Sequence, residues 1–470
     1  MTERKEHDLL GELSLPADSL YGIHTKRAMD NFPFAGRRVH PELIKAIALI
    51  KAAAARVGLR HGWLEAKKAE AIIQAAEEVA EGRWTEAFPL PAWQGGAGTS
   101  THLNVCEVIA NRAIEIIGGE HGDYSLVHPI EDVNRFQSTN DVYPTALRIA
   151  AIRLLRELAD ACAHLQMVLQ EKEAEFAGVL KLGRTELQDA VPITLGQEFA
   201  AYAQAVGRDR WRLYKAEERL RQVNLGGTAV GTGLGASWDY IYAVNEELRV
   251  MTGLGLARAE NMIDPTQNMD VFVEVSGLVK TFAVTVAKIS RDLRLLSSGP
   301  AGGFGEIKLK PRQAGSSLMP GKVNPVIPEA AQMTAYQVMA HDFSITMAAQ
   351  AGELELNAMA PLIAHALLES LELLTQAAYS LADLCLASVE ADADHCTKHL
   401  ESSTAAATAL AAVVGYEQAT KAVAEAESTG ISLREAALAE HMISPEQAEQ
   451  IFSLESLTHP TKGRPHGGAR

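Results

Sequence analysis

Gly315-Ser316-Ser317-Leu318-Met319-Pro320-Gly321-Lys322-Val323-Asn324-Pro325 is a stretch that forms neither regular helix nor strand. Two glycines and two prolines fall within its eleven positions. Yet it carries two adjacent hydroxyls, a cation and an amide. A loop that presents those groups together is suited to chemistry on an anion. Helical spacing resumes on both sides of it, over Asn268 to about Ser297 and Pro328 to about Gly352.

Working outward, the same periodicity covers Tyr143 to about Leu180, Thr194 to about Val223 and Pro361 to about Val389. Most of these segments are at least twice the average helix of about 11 to 12 residues. Long helices joined by loops containing Gly and Pro predict a mainly all-α chain built on a central long-helix bundle. Abundant Ala and Leu, with only 6% aromatic residues, agree with that. Five such helices leave apolar stripes that a single subunit does not cover, which points to oligomerisation. Shorter helices are expected over Pro41 to Gly58, Glu65 to Glu81 and Asn104 to Ile117, with a loop at Gly95 to Ser100. From about Asp392 the pattern shifts to short segments rich in Ser, Thr and Glu, and Leu457 to Arg470 is expected to fray. A chain of 470 residues exceeds the usual single-domain limit. The expected division is an N-terminal helical domain over 1–142, a bundle domain over 143–391 and a small C-terminal helical domain over 392–470.

The net charge of 43 − 59 = −16 argues against a nucleic-acid partner bound through a general basic surface. An anionic substrate would need a local positive island. The four cysteines, Cys106, Cys162, Cys385 and Cys396, form no CxxC pair and no zinc-like ligand set, so no metal ligand is assigned. Met1 to Leu13 is charged and has no secretory apolar core, and no apolar run approaches a membrane span. A cytoplasmic protein with no membrane partner is expected.

Three further segments carry polar groups: Gln94-Gly95-Gly96-Ala97-Gly98-Thr99-Ser100-Thr101, Gln137-Ser138-Thr139-Asn140-Asp141 and Gly183-Arg184-Thr185-Glu186-Leu187-Gln188-Asp189-Ala190. The first is not a phosphate loop, since no Gly-Lys-Ser/Thr follows it. Ser-Thr-Asn-Asp taken alone reads as a helix cap, a role compatible with binding an anion at the helix start before Tyr143-Pro144. Together with the Gly315–Pro325 loop, these segments resemble, in order and spacing, the active-site segments of the aspartase/fumarase superfamily. The similarity runs from about Asp8 to about Leu457. Tyr21-Gly22-Ile23-His24-Thr25, Ser138-Thr139-Asn140-Asp141, Lys322-Val323-Asn324-Pro325-Val326-Ile327-Pro328-Glu329 and Ala351-Gly352-Glu353-Leu354-Glu355-Leu356-Asn357 all favour the aspartase branch over the fumarases.

The resemblance implies an ammonia-lyase that reversibly eliminates ammonia from L-aspartate to give fumarate, without a cofactor. It implies a homotetramer whose active sites are each shared among three subunits. Ser316 would be the catalytic base, acting as an alkoxide on the β-carbon proton and giving an aci-carboxylate intermediate. Lys322 would hold the carboxylate that gains charge and Asn324 would add donors. Thr99, Ser138, Thr139, Asn140, Thr185 and Glu186 would contact substrate. A class II fumarate hydratase and a catalytically silent structural homologue are the alternatives. Covalent serine chemistry is not expected, because neither G-x-S-x-G nor S-x-x-K surrounds Ser316 or Ser317.

Four places depart from the family pattern. Glu186 stands where His or Gln is usual; it would repel a dianion but bind an α-ammonium, or it simply pairs with a nearby arginine. His102 and Cys106 replace asparagines, Cys106 reading as a buried packing residue. Ile130-Glu131-Asp132 replaces the stretch that in fumarases binds a second dicarboxylate, so no such peripheral site is expected.

Overall fold

The computed structural model describes residues 2–460. The chain begins with an antiparallel hairpin, β1 (Glu3–Asp8) and β2 (Gly11–Pro16). Arg4 ties it to the following segment by donating to the carbonyls of Pro16, Ser19 and Tyr21 at 3.1, 2.7 and 2.7 Å. Then come α1 (Ile23–Asn31), α2 (Pro41–Arg60), α3 (Ala66–Ala80), α4 (Thr99–Ile116) and α5 (Thr139–Glu175). A second hairpin, β3 (Leu180–Thr185) and β4 (Gln188–Thr194), leads into α6 (Leu195–Leu220), α7 (Trp238–Thr252), α8 (Asp264–Gln267) and α9 (Asp270–Leu296). The helices α10 (Val326–Ala349) and α11 (Ala360–Tyr379) precede six short ones. These are α12 (Ala393–Glu401), α13 (Ala407–Val414), α14 (Tyr416–Thr429), α15 (Leu433–Ala439), α16 (Pro445–Ile451) and α17 (Leu454–Thr458). Besides the two hairpins, the described residues hold only two-residue strand pairings and isolated bridges, so the chain is mainly α-helical as expected. Among the described residues, no helix is long and apolar enough to cross a membrane.

The residues form two compact units. The first runs up to Asp160 and adds Asp209–Val284 and Ala335–Thr375; the second takes Ala161–Arg208, Thr285–Thr334 and the chain from Gln376 onward. In the first, Ile47, Ile50 and Val57 of α2, Ile72 of α3 and Val105 and Ile109 of α4 are completely buried. Helix α2 starts where Pro41 needs no N–H partner and His40 Nδ1 accepts from Glu42 N–H at 3.2 Å. In the second unit Phe176 and Phe199 meet edge to face, while Leu410, Ala422, Leu433, Ala437 and Ala448 form a small cluster among the last helices. Helices α15 and α16 each begin with a capping box, Ser432/Glu435 and Ser444/Gln447.

Three boundaries differ from the sequence expectation. Helix α4 starts at Thr99 rather than near Asn104, because Gln94 folds back and its Oε1 accepts from both the N–H and the hydroxyl of Thr101, at 3.0 and 2.9 Å. Helix α5 starts at Thr139 and contains Pro144 instead of beginning at it. The proline leaves the Asn140 carbonyl without its helical donor, and Asn224 Nδ2 supplies one at 3.0 Å. The helix expected to reach Val389 ends at Tyr379, continuing as a π-helical turn over Ser380–Cys385 and a 3₁₀ turn over Leu386–Ser388. Leu381, Cys385 and Leu386 stay buried through this widening, so the apolar spacing conceals it. Of the segment expected to fray, Leu457 and Thr458 belong to α17, and 461–470 lie outside the described residues.

Candidate active site

Thr99, Ser138, Thr139 and Asn140 lie in the first unit, at the N-termini of α4 and α5. The approach to α4 has three consecutive positive φ angles: Gly96 (86°), Ala97 (56°) and Gly98 (93°). Gly98 is obligatory twice over, since a Cβ there would stand 2.3 Å from the ring of the buried Tyr143. That packing holds the two helix starts against each other. Ser138 caps α5, its Oγ accepting from Asn140 N–H at 3.3 Å. Asp141 completes the cap from the helix side. One oxygen accepts from Ser138 N–H at 2.9 Å, and the other from Gly226 and Thr228 N–H at 2.9 and 3.1 Å. Burial pushes its carboxyl up to about 6 in spite of these three donors. Asn140 Nδ2 donates to the Ala229 carbonyl at 2.8 Å.

Behind Thr139 lies a group that no sequence motif announced. Lys51 of α2 is completely buried, 2.6 Å from His102 Nε2 and donating to Asn134 Oδ1 and Gln137 Oε1 at 2.8 and 2.9 Å. Burial, and then the Lys51 charge, hold the His102 imidazole well below its ordinary value, so it is neutral. An ammonium donating to Nε2 leaves the ring proton on Nδ1, which stands 2.8 Å from Thr139 Oγ1. Thr139 therefore accepts from His102 and keeps its own hydroxyl hydrogen to give to an anion. Cys106 is fully buried beside Lys51, and burial pushes its thiol up, in keeping with a packing role. Asp132 is tied down by Lys68 at 3.0 Å and by His128 N–H at 2.8 Å.

Thr185, Glu186, Ser316, Lys322 and Asn324 lie in the second unit. Thr185 and Glu186 sit at the tip of the β3–β4 hairpin, where Thr185 pairs with Gln188 and Glu186-Leu187 form a two-residue turn. Both turn residues have positive φ, 55° and 63°, a conformation that favours Asn-Gly and is strained for Glu-Leu. The hairpin is anchored below its tip. The completely buried Glu306 accepts from Arg184 at 2.8 Å and pairs with Lys181 at 2.9 Å, while Lys181 also meets Glu198 at 2.8 Å. Burial alone would raise the Glu306 carboxyl, but Lys181 and Arg184 hold it below its ordinary value. With Arg184 engaged by Glu306, no ion pair reaches Glu186 among the described residues. The tip is exposed.

The Gly315–Pro325 loop is closed at its neck. Gly315 N–H donates to the Lys322 carbonyl at 2.8 Å, and Asn324 Nδ2 to the Gly315 carbonyl at 2.8 Å. Gly315 has no room for a side chain, since a Cβ would lie 2.6 Å from the Lys322 oxygen. Inside the loop, Ser316 Oγ accepts from the N–H groups of Leu318 and Met319 at 3.1 and 2.8 Å. Those donors favour a negative oxygen. Lys322 is exposed and, among the described residues, carries no ion pair. It lines a cavity of about 730 Å³ with Arg291, Arg294 and Glu329, the last 3.7 Å from Arg294, so cations outnumber the one carboxylate there in an acidic chain. Asn324 spends one amide hydrogen on the neck and retains the other. Among the described residues, no hydrogen bond joins the hairpin tip to this loop.

Residues 11–340 match the family described as "Lyase", and residues 407–459 match "Fumarase C C-terminus". The chain belongs to the aspartase/fumarase superfamily. It is 45% identical over 457 residues to an aspartate ammonia-lyase of a Bacillus species, covering 97% of this chain and 98% of that protein. It is 44% identical to the Pseudomonas aeruginosa aspartate ammonia-lyase over 98% of each chain. Among solved structures, a Brucella melitensis fumarate lyase:delta crystallin bound to cobalt superposes with a TM-score of 0.92 at 43% identity, covering 96% of this chain and 98% of that one. A Schistosoma mansoni class II fumarase superposes with a TM-score of 0.90 at 33% identity, with the same coverage.

Proposed function

We propose that the protein is an aspartate ammonia-lyase, a carbon–nitrogen lyase that converts L-aspartate reversibly to fumarate and ammonia. The reading rests on the Ser316 hydroxyl, which accepts two backbone N–H bonds in a loop that also carries Lys322. Identities of 44–45% to aspartate ammonia-lyases, against 33% to a class II fumarase, favour aspartate over malate.

Ser316, as the alkoxide, removes a proton from the β-carbon, and the electron pair of that C–H bond moves onto the β-carboxylate. The resulting aci-carboxylate carries two negative charges, which Lys322 and the remaining Asn324 amide hydrogen meet. The pair then forms the C=C bond as the C–N bond breaks and ammonia leaves. Thr99, Ser138, Thr139, Asn140 and Thr185 hold the carboxylates through neutral donors, and Glu186 receives the α-ammonium.

The working assembly is a cytoplasmic homotetramer in which three subunits build each site. Supporting it, Tyr336, Phe343 and Met347 lie along α10 at spacings of seven and four, and are 55%, 68% and 50% exposed. A helix face of that kind fits a second copy of the chain.

Absorbance of released fumarate decides among the readings when aspartate, malate and argininosuccinate are supplied in turn. Aspartate is expected to give the signal. Fumarate from malate alone would make the protein a hydratase, and none from any of the three would make it a silent homologue.

A further inference from the structure

We propose that His341, His365 and Glu369 form a binding site for a divalent first-row transition-metal ion of borderline softness, with Zn²⁺ as the reference ion. His341 stands on α10; His365 and Glu369 stand four apart on α11 and so share one face. Their ligand atoms all lie within 4.8 Å of one another. Glu369 Oε2 is 3.5 Å from His341 Nε2 and 3.4 Å from His365 Nε2. These separations are long for hydrogen bonds. They match the edge of a tetrahedral zinc site, which is about 3.4 Å for bonds of about 2.0–2.1 Å.

The surrounding groups orient the ligands. Ser370 Oγ gives its hydrogen to the Ala366 carbonyl at 2.6 Å, so it can only accept from His341 Nδ1, 3.1 Å away. The His341 proton is thereby on Nδ1, and the Nε2 lone pair faces Glu369. An outer partner on the far nitrogen is the usual support of a metal-bound imidazole. Among the described residues, that lone pair meets only the amide of Gln337 at 2.7 Å, an exposed side chain on the same helix that can turn away. Arg37 takes the other oxygen of Glu369 at 3.0 Å and leaves Oε2 for the ion. The ring of Trp93 meets His365 edge to face at 5.2 Å and fixes its orientation. A cavity of about 530 Å³ borders His365 and Glu369, leaving room for an ion and a water as fourth ligand. His40 lines the same cavity but is not a ligand, because its Nδ1 is spent on the cap of α2 and its proton is on Nε2.

The test is calorimetric titration of the metal-stripped full-length protein with Zn²⁺. One saturable ion per chain is expected. Glu369→Gln and His341→Gln should each weaken it by at least about tenfold, and Ser370→Ala by about tenfold through the lost outer contact. Mg²⁺ in excess should not compete, since two imidazoles suit it poorly. X-ray absorption on the zinc-loaded wild type, which needs no folded variant, should show two imidazoles and oxygen ligands. The proposal fails if the wild type has no saturable site. It also fails if folded Glu369→Gln binds Zn²⁺ as the wild type does, if Mg²⁺ displaces it, or if the absorption shows sulfur or only oxygen ligands.

Discussion

A serine hydroxyl is a weak base, and the role proposed for Ser316 relies on where the chain turns rather than on a neighbouring side chain. The N–H groups of Leu318 and Met319 already point at its oxygen, so negative charge there meets donors in place. Ser316→Ala should keep the fold, read by circular dichroism, and lower kcat by about 10²–10⁴-fold. More than a tenth of the wild-type rate in fumarate absorbance would remove Ser316 as the base. Glu186 is the second residue with an assignable consequence. Exposed at a hairpin tip and unpaired among the described residues, it is available to an ammonium. Glu186→Gln should reduce kcat/KM for aspartate more than any activity on malate. An equal loss on both substrates would end its role in discrimination. The motifs made all these residues legible in the sequence. Lys51 was not, because a buried lysine among Ala and Ile looks like one polar position in an amphipathic helix. Only the folded neighbourhood, His102 with Asn134 and Gln137, reveals what it holds. His102 was visible as a departure, yet its influence on the Thr139 hydroxyl needed the geometry. The pair His365 and Glu369 has helical spacing that any surface helix shows, and its partner His341 comes from a different helix.

At the scale of elements, the long helices were legible because 3.6-residue spacing persists over many turns. The hairpins were not. β3 and β4 are joined by Glu186-Leu187, a pair with no intrinsic preference for the left-handed turn they adopt, so no turn signal separates the strands. What holds the strained turn lies below it, in the Lys181–Glu306–Arg184 cluster. Arg184→Leu removes one of two cations from a completely buried carboxylate and should destabilise the protein by about 3 kcal/mol. It should also raise KM by releasing Thr185 and Glu186. Thermal unfolding and kinetics together test this, and an unchanged melting temperature would show that the cluster does not anchor the hairpin. The pH dependence has a definite sign. Glu306 is held below its ordinary value, so its contribution is complete above the unfolded carboxyl value of about 4.3. That contribution is lost as pH falls through the lower folded value, and acid should release the hairpin.

For the whole molecule, the exposed apolar face of α10 and the division of the proposed site residues among separate stretches of the sequence both fit the assembly proposed above, an active unit larger than one chain. The sequence suggested this through helices too long and too apolar for a single subunit to cover. If each site takes Ser316 from one subunit and Thr185 from another, two defective chains can restore each other. Ser316→Ala and Thr185→Val should each be inactive alone. Unfolded and refolded together, they assort at random. A given site then finds an intact Ser316 in half the cases and an intact Thr185 in half, so roughly a quarter of sites should recover. Native mass spectrometry of differently tagged parents reports whether mixing occurred, independently of activity. Recovery near a quarter at confirmed mixing requires the two residues to come from different chains. No recovery at confirmed mixing places them on the same chain, and an active monomer would remove the shared site altogether.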